Sequence, residues 1–233
     1  MDQLTTASWH ALVLLFTGDR ELWEIVAISF SVSFRAILIA TPFALIAGFV
    51  LAHVQFPGRR ALISSINTLL ALPAVVVGLT VYMLLSRSGP LGDWKLLFTQ
   101  SAMIIGQIIL CLPLLIAISH AAFQAADKKV WETSRTLGAN SWQAMLTLMH
   151  EVRFGLIAAV IAGFGRIIAE VGSSMMVGGN ILHYTRNIPT AIALETSKGA
   201  FAQGIALGLV LLLAALVLNF SLSFIQGKGE MVQ

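Results

Sequence analysis

Charge is scarce in this chain, and its scarcity excludes a water-soluble protein. Only 11% of the 233 residues are charged, whereas 58% are hydrophobic, and the mean hydropathy is +0.88. Soluble domains carry about 25% charged residues, so the polar surface available here could not cover a water-soluble particle. We therefore expect a protein that lies in the lipid bilayer. No stretch between its apolar runs is long enough for an independent soluble domain.

Several chemical features are also missing. Cys111 is the only cysteine, so no intrachain disulfide is possible. No G-x-x-x-x-G-K-[ST] sequence is present, so any ATP hydrolysis must belong to a separate polypeptide. The net charge is only +3 and no run of Lys or Arg exceeds two residues, which excludes a nucleic-acid-binding groove. We expect no nucleic-acid partner.

The histidines and serines do not form a catalytic or metal-binding pattern. The five histidines lie at the boundaries of apolar runs or in loops, with no two at i, i+4 spacing: His10, His53, His120, His150 and His183. Gly172-Ser173-Ser174 lacks the G-x-S-x-G pattern of a nucleophile elbow. We therefore expect no catalytic residue, no metal site and no cofactor in this chain.

Five apolar stretches predict an all-α, polytopic membrane protein. They cover about residues 28–54, 63–85, 102–118, 155–177 and 202–225. Each approaches or exceeds the ~20 residues that cross a bilayer as a helix. Residues 1–27 are then an extracytoplasmic N-terminal segment, and residues 28–233 form one transmembrane domain.

Basic residues predict how these spans are oriented. One set of loops holds Arg59, Arg60, Lys128, Lys129, Arg135, Arg153 and Lys228. The other set holds Arg20, Arg87, Lys95, Arg186 and Lys198, which are offset by five acidic residues. Since loops rich in Lys and Arg stay in the cytoplasm, the N-terminus is expected outside and the C-terminus inside.

The connection of residues 119–153 is then cytoplasmic, and it is the longest polar stretch of the chain. Its first part, residues 121–137, almost lacks Gly and Pro and is expected to be helical, with Gly138 as the C′ residue. Asn140 or Ser141 is a good N-cap for a second short helix. Two short helices joined by a glycine turn are typical of a docking device.

The predicted spans carry breaks and charges. Pro42, Pro73 and Pro113 lie inside the first three, and each removes an intrahelical hydrogen bond. The fourth span is rich in small residues suited to close helix packing. These features are compatible with ordinary bundle packing, but together they suit a moving transporter better than an inert anchor.

Three charged residues fall within the predicted spans. Arg166 and Glu170 are four residues apart, so they share one helix face and can pair. The pair either locks helix packing or belongs to a gate or pathway. Arg35 lies about seven residues, roughly 10 Å, inside the first span. It can extend its side chain to the interface or attract an anion.

Four motifs resemble the permease subunits of ABC importers. Residues Glu132-Thr133-Ser134-Arg135-Thr136-Leu137-Gly138 resemble the E-A-A-x-x-x-G signature, although Thr133 and Ser134 replace alanines and Glu151 replaces a closing proline. Residues 56–58, 72–78 and 166–172 resemble molybdate-type permeases, and the similarity covers nearly everything after Trp23. Residues 170–181 and 191–199 are similar to the tungstate subgroup.

The resemblance implies a type I ABC importer permease fold and a set of partners. Two identical permease subunits would work with two ABC ATPase subunits, which bind ATP and magnesium, and with an extracytoplasmic oxyanion-binding protein in a bacterial or archaeal cell membrane. The cargo implied is a tetrahedral oxyanion, with tungstate favoured and molybdate or sulfate as alternatives. A channel or an intramembrane enzyme is a remote alternative.

The resemblance implies one group of functional residues, and the charges and breaks within the spans, together with the resemblance, give a second. The residues that couple to the ATPase are Glu132, Thr133, Ser134, Arg135, Gly138 and Ala139. The candidates for the pathway or gate are Arg35, Pro73, Arg166, Glu170, Gly172, Ser173 and Ser174.

Overall fold

The computed structural model describes Val13 and residues 18–227, and the regular secondary structure within them is entirely helical. Most of the expected N-terminal segment, together with residues 228–233 and hence Lys228, lies outside the described residues.

The first helix, α1, spans Arg20–His53 and continues through Pro42. It begins where Asp19 accepts a hydrogen bond from the N–H of Leu22, at 2.9 Å. The helix therefore begins before residue 28, where the membrane span is expected to start. Hydropathy rises only after the polar first turn, whereas the N-cap at Asp19 decides where the helix starts.

The expected second span is two helices. Helix α2 covers Arg59–Leu69 and α3 covers Ala74–Leu85, and the two are bent by 100°. Pro73, with extended backbone, immediately precedes α3. Proline has no N–H to donate to the preceding turn, and at Pro73 the helix does break. The interruption expected at Pro73 within the span of residues 63–85 is therefore confirmed.

Helix α4, Gln100–Ala125, packs parallel to α1 and continues through Pro113. Arg35 of α1 contacts Gln100 at one end. Near the other end, a Cβ on Gly48 would lie 2.9 Å from Cβ of Ser119. Parallel packing requires the chain to cross the bundle once between α1 and α4, and α2–α3 makes that crossing.

Two short helices follow, α5 over Lys128–Thr136 and α6 over Ser141–Glu151. The helix expected over residues 121–137 is interrupted, because Ala126 is extended and the side chain of Asp127 caps α5. An N-cap side chain with extended backbone starts a new helix.

Helix α7, Arg153–Ile168, leaves α6 at 75° and runs antiparallel to α4. A Cβ on Gly155 would lie 2.9 Å from Cβ of Ala122, and one on Gly163 would lie 2.9 Å from Cδ2 of Leu115. These glycines let α7 approach α4 closely, as the small residues of the fourth span suggested.

The chain ends in three more helices within the described residues. Helix α8 covers Gly172–Gly178, α9 covers Ile188–Lys198 and α10 covers Phe201–Gly227. The expected span 155–177 is therefore α7 and α8, separated by a break at residues 169–171. Helix α9 and the first residues of α1, α4 and α10 lie at one end of the bundle, the α9 end. Helices α5 and α6 lie at the opposite end.

Length and composition agree with a polytopic membrane protein. Helices α1 and α4 are each long and apolar enough to cross a bilayer, and the bent pairs α2–α3 and α6–α7 qualify as broken spans. Residues Phe201–Val217 of α10 form a further apolar helix. The all-α membrane fold is confirmed.

Candidate functional site

The turn between α5 and α6 closes with a left-handed glycine. Gly138 has φ +88°, its N–H donates to Arg135 O at 3.1 Å, and the N–H of Ala139 donates to Ser134 O at 3.0 Å. This is the hydrogen-bond pattern of a Schellman motif. The prediction of Gly138 as the C′ residue is confirmed. A Cβ there would meet no atom within 4 Å, so the backbone angle alone favours glycine.

The start of α6 is fixed by a capping box. The side chain of Asn140 accepts from the N–H of Gln143 at 2.8 Å, and Gln143 Oε1 accepts from the N–H of Asn140 at 2.9 Å. Arg135 Nη1 donates across the turn to Ala139 O at 2.9 Å. Residues 128–151, hereafter the α5–α6 hairpin, therefore have a well-defined tip.

The remaining coupling candidates differ in their surroundings. Glu132 and Thr133 are exposed, whereas Ala139 is half-buried. Ser134 is also half-buried, and its hydroxyl donates to Val130 O at 2.7 Å. Arg135 is exposed, and its Nη1 also closes the turn through Ala139 O. Glu132, Thr133 and Arg135 are therefore all accessible to a partner.

Two exposed apolar side chains lie at the tip of the hairpin. Leu137 is 82% exposed and Trp142 is 59% exposed. Sequence reasoning missed both, although an apolar residue on each side of Gly138 in a polar connection was a usable signal. Exposed Leu and Trp beside acidic and hydroxyl groups are typical of a protein-docking surface.

The breaks in two spans meet inside the bundle. A Cβ on Gly172, the first residue of α8, would lie 2.6 Å from Cγ2 of Val75 in the first turn of α3. A Cβ on Gly78 would lie 2.8 Å from Cα of Ser173. The helix that follows Pro73 therefore packs directly on the short helix that begins at Gly172. We call this contact the broken-span junction.

Arg166 and Glu170 form the predicted ion pair, with 2.7 Å between Nη1 and Oε2. Glu170 Oε1 also accepts from the N–H of Gly172 at 2.8 Å. The glutamate is buried, whereas the arginine side chain is 42% exposed. Glu170 thus ties the end of α7 to the start of α8 across the break, which the i, i+4 spacing alone did not indicate.

Ser173 and Ser174 are buried where α8 meets α4. The hydroxyl of Ser173 lies against Gly106, where a Cβ would be 2.5 Å away. Buried Gln107 donates from Nε2 to Ile167 O at 3.4 Å. Within the described part of the chain, the two hydroxyls and Gln107 Oε1 have no hydrogen-bond partner. Polar groups therefore reach the interior next to the junction.

Arg35 lies at the α9 end. Its Nη2 donates to Gln100 Oε1 at 3.0 Å, and Gln100 Nε2 donates in turn to Tyr184 O at 2.8 Å. The exposed guanidinium also bonds Ser31, one turn earlier on α1. Arg35 therefore joins α1, α4 and the loop before α9. Sequence reasoning did not indicate Gln100 or Tyr184, which carried no signal.

No group of three or more His, Cys, Asp or Glu side chains that could hold a metal ion occurs among the residues that the structure describes.

Comparison with known proteins identifies relatives along nearly the whole chain. Residues 40–228 match the family described as "Binding-protein-dependent transport system inner membrane component". The chain is 41% identical to the "Tungstate uptake system permease protein TupB" of Campylobacter jejuni over 220 residues, which is 94% of this chain and 92% of that protein. It is 30% identical over 178 residues to the "Molybdenum transport system permease protein ModB" of Escherichia coli K12, covering 73% of this chain and 78% of that one.

Solved structures share the fold at low sequence identity. A bacterial ABC transporter involved in the import of the acidic polysaccharide alginate superposes with a TM-score of 0.72 at 17% identity, covering 96% of this chain and 83% of that one. The MetNI methionine ABC transporter in an inward-facing conformation gives 0.65 at 18% identity, covering 92% and 95%. These likenesses establish the fold alone.

Proposed function

Because the chain belongs to the family of binding-protein-dependent transport system inner membrane components, we propose that it is the membrane-spanning permease subunit of an ATP-driven tungstate importer. The observation that supports tungstate as the cargo is the 41% identity to a tungstate uptake permease along 94% of this chain. A second tungstate permease, TupB of Peptoclostridium acidaminophilum, is 36% identical over 94% of this chain.

The α5–α6 hairpin docks the ATPase in this proposal. Exposed Leu137 and Trp142 supply apolar contact area, and Glu132 and Thr133 supply polar contacts beside it. Gly138 keeps the tip compact. ATP and magnesium bind on two separate ATPase subunits, and two copies of this chain form the transmembrane part.

The broken-span junction is the moving part of the pathway. Alternating access needs elements that reorient without unfolding, and helices interrupted at residues 70–73 and 169–171 provide natural bending points. The exposed side of Arg166 attracts a dianion, while its partner Glu170 balances the charge. A pathway that bound tungstate tightly would release it slowly, so near-neutrality favours passage.

The α5–α6 end faces the cytoplasm in this proposal, and the α9 end faces outward. Arg59, Arg60 and Lys129 lie with the hairpin at the first end, as the positive-inside rule favours. An extracytoplasmic binding protein then delivers the anion to the α9 end, where Arg35 lies. Selectivity among oxyanions is a property of that binding protein.

Molybdate is the alternative cargo, since the chain is also 30% identical to a molybdenum permease over 73% of its length. Calorimetric titration of the purified binding protein with tungstate, molybdate and sulfate separates these cargoes. Tungstate is expected to bind most tightly. Tighter binding of molybdate or sulfate would contradict tungstate as the proposed cargo, but the assignment as a permease subunit would still hold.

Two exposed tryptophans at opposite ends of the bundle test the docking surface. Trp142 lies on the hairpin, and Trp94, which is 66% exposed, lies in the turn before α4. We expect Trp142→Ala to weaken co-purification of the ATPase with tagged permease, because an exposed tryptophan that a partner covers is a common interface anchor. Trp94→Ala should retain the ATPase. Equal retention in both variants would contradict docking at this tip.

A further inference from the structure

Four aromatic rings join α5 to two transmembrane helices. The ring of Trp131 lies 5.6 Å from those of both Phe49 and His53 on α1. Phe49 stacks on His53 at 4.8 Å and meets Phe123 of α4 edge-on at 5.6 Å. Offset and edge-to-face pairs at these distances are attractive beyond their buried area. We call these four residues the ring cluster.

The ring cluster lies on the inner side of α5. Trp131 is half-buried, while Glu132, the next residue, is exposed. Val130 packs with Phe49 and Phe123 in the same apolar cluster. The proposed docking residues Leu137 and Trp142 point to solvent instead. Trp131 therefore contacts the bundle from a helix whose other side is available to a partner.

Helices α1 and α4 cannot respond to Trp131 separately. Close to the ring cluster, Gly48 of α1 faces Ser119 of α4, and a Cβ on Gly48 would be only 3.0 Å from the backbone N of His120. Such close backbone approach makes the two helices move together, because a packed contact resists continuous deformation. A displacement of Trp131 reaches both of them.

Helix α6 has its own attachment to the bundle. Leu148 packs in one buried cluster with Phe123 and Leu156, and only Val152 separates α6 from α7. Loss of the Trp131 ring therefore leaves the hairpin attached. What it removes is the ring contact of α5 with Phe49 and His53 of α1.

We infer that Trp131 is the positioning residue that transmits movement of the ATPase-bound hairpin to α1 and α4, an inference that rests on the proposed function. The ATPase moves α5, and the ring of Trp131 pushes on Phe49 and His53. Since α1 and α4 are packed together, they tilt as one unit relative to the broken-span junction. Trp131 itself contacts neither ATP nor the transported anion.

The test uses the complete complex of permease, ATPase and binding protein in lipid vesicles. Three quantities are measured: the ratio of ATPase to permease after purification, ATP hydrolysis stimulated by the binding protein, and tungstate transported per ATP hydrolysed. We expect Trp131→Ala to keep the ratio of ATPase to permease and to lower the tungstate transported per ATP severalfold, because the ring contacts that carry the movement are lost. Trp131→Phe, which keeps a ring, should restore transport.

Phe49→Ala provides a second variant on the other side of the contact. It changes α1 and leaves the hairpin sequence intact, and we expect the same loss of tungstate transported per ATP. Trp142→Ala is the matched control and should instead lose ATPase from the complex.

Two results would overturn the inference. One is a wild-type transport ratio in either Trp131→Ala or Phe49→Ala. The other is loss of the ATPase from Trp131→Ala to the same extent as from Trp142→Ala, which would assign Trp131 to docking. Failure of the proposed cargo is distinguishable, because the wild-type complex would then hydrolyse ATP without tungstate uptake.

Discussion

Glu170 is the residue whose replacement most sharply separates structure from transport. Its carboxylate bonds Arg166 at 2.7 Å and the N–H of Gly172 at 2.8 Å. Glu170→Ala removes both contacts at once. It leaves a guanidinium without its counter-charge and the first N–H of α8 without its acceptor.

The expected cost combines two effects. Removing one partner of a buried ion pair costs about 3–5 kcal/mol, and loss of a helix-capping acceptor costs about 0.5–2 kcal/mol. Because the Arg166 side chain is 42% exposed, the first figure is an upper bound. We expect about 2–3 kcal/mol in total, which corresponds to a fall in melting temperature of roughly 5–10 °C for a chain of this size.

Thermal unfolding of the purified permease, together with its yield in membranes, measures this cost. Glu170→Gln is the matched control, because its one side-chain oxygen can still accept from the N–H of Gly172, while an NH2 group replaces the oxygen that accepts from Arg166. It should lose about 1 kcal/mol. An unchanged melting temperature in Glu170→Ala would refute the reasoning, since it would mean that neither contact stabilises the fold.

A double variant then asks whether the pair also serves transport. Arg166→Leu combined with Glu170→Gln removes both charges and retains the acceptor for Gly172, so assembly should recover. Arg166→Leu with Glu170→Met should recover less, because Met cannot accept from Gly172. Recovered assembly without recovered uptake would assign the charges to the pathway. Recovered uptake would make the pair purely structural.

Two further predictions concern the hairpin and the orientation of the chain. Gly138→Val forces a β-branched residue into the left-handed region at a cost of about 1–3 kcal/mol, so membrane yield should be normal but co-purification of the ATPase weak. Gly138→Asn should retain the ATPase, and equal ATPase retention in the two variants would contradict a role for the backbone angle. With Cys111 replaced, single cysteines at Gly18 and Asp93 should react with an impermeant thiol reagent from outside. A cysteine at Asn140 should react only from the cytoplasmic side, so outside labelling there would overturn the orientation.

Features fixed by neighbouring residues could be predicted from the sequence. The Gly138 turn, the Asn140 cap and the Arg166–Glu170 pair each depend on residues within one or two helical turns. The positions and order of the apolar segments follow from the distribution of hydrophobic residues along the chain. These features could be predicted because local backbone geometry and the cost of exposing apolar groups to water favour one conformation.

Where the helices break could not be predicted from proline alone. Pro42 and Pro113 lie inside continuous helices, whereas Pro73 marks a bend of 100°. Neighbouring helices can hold a proline-containing turn in place, and buried Pro113 lies in such a packed environment. Pro42, by contrast, is exposed, so packing does not explain why α1 continues through it. The second break, at residues 169–171, contains no proline.

Contacts between residues far apart in the sequence could not be predicted either. Arg35 meets Gln100, and Gln100 meets Tyr184, across sequence separations of 65 and 84 residues. The ring cluster likewise joins Phe49 to Trp131. No periodicity within one helix indicates which partner helix its residues will face, so such links require the folded structure.

Uptake of radiolabelled tungstate into vesicles tests the central claim most directly. The vesicles contain this permease with its ATPase, and the binding protein is supplied outside. We predict uptake that requires ATP and the binding protein, that excess unlabelled tungstate abolishes, and that equimolar sulfate leaves unchanged. Tungstate accumulation without ATP, or none with all components present, would contradict the assignment as the permease of a tungstate importer.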